Sequence, residues 1–395
     1  MKGGDNVRVK LLLKQHVGAP SSPMVSVGDQ VERGQRIAKR EGLGANIHSS
    51  LSGEVVAVTD EYIEIDGEKT DSFLPIEASD NLLDMVEAAG IVGAGGAGFP
   101  AHVKLNISLP GGYIIANAAE CEPVLHHNIT MLETEPEKVI SGLLHAKKMI
   151  SAEHAYVAIK AKYTQAIKAI KKVKDQVGGF ELKILPDMYP SGDERVIVRE
   201  ILGVELEPGA LPSVAHAVIQ NVETLKRIAE AIDERKPFID KDMTVGGRVR
   251  NANSGVVFLD QPIGRRVVEL IEECGGYQEP HGEIVLGGPF TGATGGEESI
   301  ITKTMGAVLV AMPFPTEKSK MGLLVCECGA SEQRMRDIAT GMGAEIVAVE
   351  HCKRMTEVGG RVRCELPGVC PGQAEKILLM RKKGMDAILA GTCGD

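Results

Sequence analysis

The stretch Gly93-Ala94-Gly95-Gly96-Ala97-Gly98-Phe99-Pro100 puts four glycines into six positions. A backbone without Cβ atoms can press directly on a ligand, and positive φ is open to it. The row of N–H donors it presents suits a phosphate or another anion, with a merely tight turn as the plain alternative. Three further clusters add to the case for a ligand. They are Asn117-Ala118-Ala119-Glu120-Cys121-Glu122-Pro123, Tyr189-Pro190-Ser191-Gly192-Asp193-Glu194 and Gln220-Asn221-Val222-Glu223-Thr224.

A second concentration of chemistry lies in the tail, which holds six of the eight cysteines: Cys326, Cys328, Cys352, Cys364, Cys370 and Cys393. Cys326-Glu327-Cys328-Gly329 follows a predicted strand and opens a predicted helix, where the helix dipole would lower a thiol pKa. Two chemistries fit, a thiol relay working by disulfide exchange or an iron–sulfur or zinc site, with inert thiols as the third reading. The Cys-x-Cys and longer spacings match no standard cluster motif, so no metal ligands are assigned. Cys121 and Cys274 read as buried thiols.

The elements that position these residues follow from composition and pattern. At 395 residues the chain is too long for one core, and two to four domains are expected. Hydrophobic content of 43% and charged content of 25% are those of an ordinary globular protein. Aromatics make up only 3%, so packing must lean on Val, Ile, Leu, Ala and Met. A net charge of −10 argues against a nucleic-acid partner, and the lysines from Lys168 to Lys174 read as the solvated surface of one helix. No apolar run approaches the ~20 residues of a membrane span, and the first residues lack the apolar core of a secretion signal. A cytoplasmic location is the expectation, with the cysteines held as thiols, metal ligands or catalytic pairs.

Residues 8 to about 68 alternate apolar and polar positions around glycine turns, as short strands do. Residues 80 to about 232 alternate helix-like and strand-like runs, including strands at 112–117, 155–159 and 181–185 and helices at 163–177 and 193–202. This implies a layered α/β domain with a largely parallel sheet, whose ligands sit outside the carboxyl ends of the strands. Residues 243 to about 312 read as hairpin, helix and further strands, the order of a β-grasp unit without obvious chemistry of its own. After Pro313-Phe314-Pro315, a linker, the tail reads as a small βαβ-type module.

The glycine run continuing into Ala101-His102-Val103-Lys104-Leu105, followed by Asn-Ala-Ala-Glu-Cys-Glu-Pro, resembles RnfC and the FMN-binding subunit of complex I. Residues 8–58, with Gln15-His16-Val17-Gly18-Ala19-Pro20, resemble the amino-terminal domain of RnfC, and 243–312 its ligand-binding β-grasp (SLBB) domain. The resemblance covers roughly four fifths of the chain. It implies a multidomain α/β protein: a barrel-sandwich hybrid of lipoyl type (1–76), an FMN-binding α/β domain (77–236), a β-grasp domain (237–314) and a cysteine-rich α/β module (315–395). No lysine lies between Lys39 and Lys69, so the barrel is read as structural rather than as a carrier. The paired ferredoxin motifs that end RnfC are absent, and the tail resembles instead the PrdC group of proline reductase electron-transfer proteins. Some of that group carry selenocysteine in the tail, so one cysteine here could occupy such a position.

From the resemblance, Gly93, Gly95, Gly96 and Gly98 wrap FMN and Lys104 pairs with its phosphate. Asn117 meets the ring edge or the ribityl chain, and Glu120 and Glu122, acceptors only when ionised, face hydroxyls or ring N–H groups. Tyr189, Gly192, Asp193 and Glu194 belong to a flavin and dinucleotide pocket, Asn221 and Thr224 to a flavin-contacting turn. Phe99 matches an aromatic that stacks near the adenine of NADH, but Ala94 stands where the complex I protein has an arginine. The segment 204–217 also lacks the expected Phe and Lys. The implied activity is electron transfer from NADH or another low-potential donor, through FMN and the tail cysteines, to a partner reductase of the proline reductase kind. An iron–sulfur cluster and a homo-oligomer stay open. The rivals are a cobalamin reductase-like flavoprotein and a non-catalytic adaptor that keeps the fold.

Overall fold

A computed structural model describes residues 7–391. The amino-terminal part has seven strands: β1 (Val7–Leu12), β2 (Ser22–Pro23), β3 (Gln30–Val31), β4 (Arg36–Lys39), β5 (Ile47–His48), β6 (Ser52–Val58) and β7 (Tyr62–Glu68). They form two sheets, β1-β7-β6-β3 and β2-β4-β5. Alternation decides the faces: Val9 and Leu11 of β1 pair with Ile65 and Ile63 of β7, and all four are buried.

The next unit runs α1 (Leu82–Ala88), α2 (Ala101–Lys104), β8 (Tyr113–Ala118), α3 (His127–Thr134), α4 (Pro136–Met149), β9 (His154–Lys160), α5 (Thr164–Val177) and β10 (Glu181–Leu185). It ends with α6 (Glu194–Leu202), β11 (Ala217–Asn221) and α7 (Val222–Asp233). All pairings in its sheet are parallel and the order is β10-β9-β8-β11. The chain steps outward from β8 to β10, then returns to place β11 on the other side of β8. That reversal between β8 and β11 is where a parallel sheet opens a crevice at its carboxyl edge.

The third unit holds β12 (Asp240–Gly247), β13 (Val256–Pro262), α8 (Val267–Glu273), β14 (Ile284–Leu286), β15 (Ala293–Gly295) and β16 (Ala307–Val310), in the order β13-β12-β16-β14-β15. Strand β12 pairs antiparallel with β13 and parallel with β16, the β-grasp arrangement. The tail has β17 (Lys320–Val325), α9 (Glu332–Met342), β18 (Glu345–His351), β19 (Met355–Val358), β20 (Arg361–Cys364), α10 (Ala374–Lys382) and β21 (Ala387–Ala390). Its parallel sheet is β18-β17-β21, with β19-β20 as a separate hairpin.

Two elements depart from the sequence reading. Helix α3 lacks a strong apolar periodicity, although His127, Asn128, Ile129, Met131 and Leu132 are buried. The β19-β20 hairpin turns at Gly359-Gly360 between mostly polar strands, so alternation could not announce it.

Where the barrel, α7 and the β12-β13 hairpin meet, charge is buried rather than excluded. Lys226 and Arg227 of α7 reach Asp242 at 2.9 and 3.1 Å, and Arg227 also reaches Glu230 at 2.8 Å and Asp260 at 2.9 Å. Arg33 of the barrel donates to Asp240 at 2.5 Å. Buried charges persist only when paired in this way.

Candidate cofactor site and thiol cluster

Asn117 and Asn221 lie at the ends of the two strands that flank the reversal, and they are register partners. Asn221 caps α7 by accepting from the Glu223 amide at 2.8 Å. Asn117 donates to the Gly192 carbonyl at 2.9 Å and accepts from the Ala119 amide at 3.1 Å, which ties two of the sequence clusters together.

The glycine run is pinned at its base, where the Gly93 amide donates to the Phe99 carbonyl at 3.0 Å. The buried Ala94 amide donates to Thr224 Oγ1 at 3.0 Å. Gly95, Gly96 and Ala97 stay exposed at the tip. At Gly95 a Cβ would lie 2.6 Å from Asn221 Nδ2, so this backbone packs closely on the side chain that caps α7, and a larger residue would have to push it aside. Gly98 has φ 73° and faces Thr304 and Gln15 at similarly short range, which again calls for glycine.

The loop separates two adjoining cavities of about 620 and 700 Å³, within the ~300–1,000 Å³ range of cofactor pockets. Gly95, Gly96, Asn117, Gly192 and Asn221 line both. The larger adds Gly93, Gly98, Phe99, Lys104, Glu194 and Thr224. The other adds Glu120, Glu122, Tyr189 and Asp193. Every cofactor residue singled out in the sequence therefore lies on one of two neighbouring walls.

The contacts of individual side chains differ from the expectation in places. Lys104 Nζ sits 2.7 Å from Glu194, so its charge has a carboxylate partner within the protein. The Glu122 carboxylate accepts from the Phe290 amide at 2.9 Å and from the Thr291 amide and hydroxyl at 3.1 and 2.6 Å. It clasps a β-grasp loop because those donors reach it across the cavity rim. Glu120 accepts from Asn128 at 3.0 Å and from the Glu122 amide at 3.2 Å. Burial pushes its carboxyl above the ordinary range despite these bonds. Burial and the neighbouring Glu120 push the Cys121 thiol up to about 11, which fits an unreactive thiol. Asp193 caps α6 through the Arg195 and Val196 amides at 2.8 and 3.3 Å, and burial raises its pKa.

Sequence reasoning missed the part played by the β-grasp unit. Gly287, Gly288, Thr291, Thr302 and Thr304 line the smaller cavity, so this unit supplies a wall of it. The only local signal was the Gly287-Gly288 doublet in an otherwise strand-like run. In the larger cavity, Leu211, Pro212 and Ser213 occupy the stretch without Phe or Lys.

The tail closes over the smaller cavity. Tyr189 donates its hydroxyl to the Cys328 carbonyl, and Cys328 lines that cavity too. Cys326, Cys328, Cys352, Cys364 and Cys370 line a further cavity of about 520 Å³ beside it. Cys393 lies outside the described residues. Hydrogen bonding with Cys328 lowers the Cys326 thiol to about 6 and the Cys364 thiol to about 7, while Cys328 itself is raised. The expected helix-dipole effect is replaced by this one, because α9 starts at Glu332 with Ser331 as its cap. Burial raises Cys352. Among the described residues no group of three or more His, Cys, Asp or Glu side chains is disposed to hold a metal ion.

Residues 86–230 match the family described as the Nuo51 FMN-binding domain, and residues 4–78 match the RnfC barrel sandwich hybrid domain. One relative belongs to the Na+-translocating ferredoxin:NAD+ oxidoreductase complex of Acetobacterium woodii. The chain is 34% identical to it over 301 residues, covering 71% of this chain and 67% of that protein. The chain belongs to the RnfC family. This family also includes the counterpart from the proton-translocating complex of Clostridium ljungdahlii, 35% identical over 72% of the chain and 66% of that protein. The cobalamin reductase PduS of Salmonella typhimurium is 32% identical over 71% of the chain and 58% of its own length. The chain thus spans about two thirds or less of these relatives. An air-oxidised NAD+-reducing [NiFe]-hydrogenase shares the fold, with a TM-score of 0.51 at 20% identity over 58% of this chain and 46% of that one. This RnfC-family chain therefore carries an FMN-binding domain of the complex I type behind a barrel-sandwich domain, and its family is one of oxidoreductase components. Among its described residues no helix is long and apolar enough to cross a membrane.

Proposed function

We propose that this chain is a cytoplasmic electron-transfer flavoprotein. It takes electrons from NADH or another low-potential donor onto FMN and passes them through its tail cysteines to a partner reductase of the proline reductase kind. One observation carries the reading: the glycine loop and the Asn117–Asn221 pair stand on a cavity whose wall also includes Cys328. The domain division at 76/77, 236/237 and 314/315 goes with it.

The residues present fit FMN, since the bare Gly96 faces open space on the cavity wall, Gly95 lets the loop pack closely on Asn221, and the Ala94 amide anchors the loop on Thr224. Bound FMN supplies the acceptance of a hydride and the storage of two electrons. Gly93, Gly95, Gly96 and Gly98 form the cradle, Asn117 and Asn221 offer donors and acceptors at the strand ends, and Thr224 holds the loop in place. Glu120 has an acceptor position for a hydroxyl or N–H group, with its proton affinity raised by burial. Phe99, 39% exposed on the larger cavity, suits a dinucleotide ring. The names of the relatives, ferredoxin:NAD+ oxidoreductase component and cobalamin reductase, support redox work with this kind of domain. The proline reductase partner rests on the likeness of the cysteine tail to the PrdC group.

Anaerobic purification followed by flavin extraction tests the first step, with about one FMN per chain expected. Adding NADH should then bleach the flavin band. A colourless protein that takes up no FMN overturns the reading and leaves an adaptor role. Reconstitution with a proline reductase decides the partner.

A further inference from the structure

The five described tail cysteines are not equivalent. Cys328 lines both the cofactor-side cavity and the 520 Å³ tail cavity, together with Tyr189 and Pro190, whereas the other four line only the second. Within the tail cavity the Cys328 thiol meets Cys326 and Cys364, and Cys352 meets Cys326. Gln373 Nε2 then lies 2.9 Å from the Cys352 sulfur and 3.9 Å from that of Cys370. Cys352 is buried, Cys326 and Cys328 are half-buried, and Cys370 is exposed.

We infer that the tail is an ordered dithiol relay, an inference that rests on the flavin reading above: Cys328 is the sulfur reduced from the cofactor cavity, Cys326 and Cys352 pass the electrons on, and Cys370 presents them at the surface. In the oxidised protein one bond joins Cys326 to Cys328 and a second joins Cys352 to Cys370. Two electrons and two protons, which reduced flavin bound in the cofactor cavity would supply, open the first bond to two thiols. The Cys326 thiolate attacks the Cys352 sulfur, forms a Cys326–Cys352 bond and releases Cys370 as a thiolate. Cys328 then attacks Cys326, which restores the first bond and releases Cys352. The two electrons now reside on the outer pair, and the number of sulfur–sulfur bonds has changed only by the one reduced. Cys326 is the middle sulfur because its thiol hydrogen-bonds both Cys328 and Cys352. Cys370 then reduces a partner that carries a disulfide or another two-electron sulfur acceptor.

Differential alkylation with mass spectrometry on the flavin-free, full-length oxidised chain reads the bond map directly. Bonds linking Cys326 to Cys328 and Cys352 to Cys370 are expected. Next, FMN-loaded protein is photoreduced anaerobically with EDTA, and alkylation of Cys370 is followed. Labelling should appear in the natural protein and in Cys274→Ser, and be lost in Cys326→Ser, where the sulfur that attacks Cys352 is gone. Dithiothreitol should still expose Cys370 in Cys326→Ser, which separates a broken relay from a misfolded tail. Undiminished labelling in Cys326→Ser, a different bond map, or stoichiometric iron or zinc on these sulfurs overturns the inference. A chain that takes up no FMN refutes the flavin reading, while the bond map is decided without flavin.

Discussion

Thr224 is the residue through which the ligand loop and the helix behind it are coupled. Replacing it with alanine leaves the buried Ala94 amide without an acceptor, an omission worth about 1–3 kcal/mol. Thr224→Ala should therefore lower the melting temperature and weaken FMN retention by roughly tenfold or more, as a flavin fluorescence titration would measure. Gly95→Ala should do more damage to FMN binding than Thr224→Ala, because its methyl must displace the Asn221 cap. Equal affinities for Gly95→Ala and the natural chain would show that the loop has another way to sit. Among the cysteines of the reduced protein, Cys326 is expected to alkylate with a pH midpoint near 6, since its hydrogen bond with Cys328 favours the thiolate. Cys328→Ala should move that midpoint up toward the ordinary thiol value of about 8.5. The sign follows from linkage: a thiol depressed in the fold adds stability above its unfolded pKa, and that contribution fades as the pH falls through about 6. A midpoint that stays put in Cys328→Ala would assign the shift to something else.

Helix α7 shows how an element can be legible in pattern and still hide its main interactions. Its start at the Asn-Val-Glu-Thr turn is readable from the cap residue. Yet Glu223, Lys226, Arg227 and Glu230, polar enough for a solvated face, are all buried against β12 and β13. Burial pushes the Asp242 carboxyl up, but Arg227 and Lys226 outweigh it and hold it at about 2. Asp242→Ala leaves two buried cations short of a partner, a change expected to destabilise the chain by about 3–5 kcal/mol. Chemical denaturation would measure it, and a loss below about 1 kcal/mol would mean that Asp260 compensates. Because the Asp242 pKa is depressed, its contribution is present above about pH 4 and is lost as the pH falls toward 2. An acid titration followed by circular dichroism should accordingly hold a plateau to about pH 4 and then drop.

Across the whole molecule, the tail is docked onto the FMN-binding domain by a small number of charged donors. Arg195 of α6 donates to the Leu206 carbonyl at 2.9 Å and to the Cys364 and Glu365 carbonyls at 2.6 Å each. Arg199 donates to the Pro367 carbonyl at 2.8 Å, and Arg334 reaches across to Glu283 of the β-grasp unit at 3.0 Å. Such bonds hold the cysteine hairpin against the cofactor cavity. Arg195→Ala removes its bonds to Cys364 and Glu365 at once and should loosen the tail by about 2–3 kcal/mol. Limited proteolysis should then cut faster in the linker around residues 313–319, leaving the amino-terminal units intact. An unchanged digestion pattern would mean that the remaining contacts suffice.

The amino-acid order by itself determined where the backbone is bare, where strands end in polar residues, and that the chain alternates helix and strand between two β-rich units. These are properties of neighbouring residues, set by glycine conformations, caps and periodicity. Strand β10 and helices α5 and α6 accordingly lie within a residue of their expected bounds. Only the tertiary structure decided that Glu122 holds a β-grasp loop, that Lys104 is paired with Glu194, and that a charged helix is buried. It also decided which tail cysteine lines the cofactor cavity. Each of these depends on partners far apart in the chain, and spacing carries no information about which distant donor or charge arrives at a given side chain.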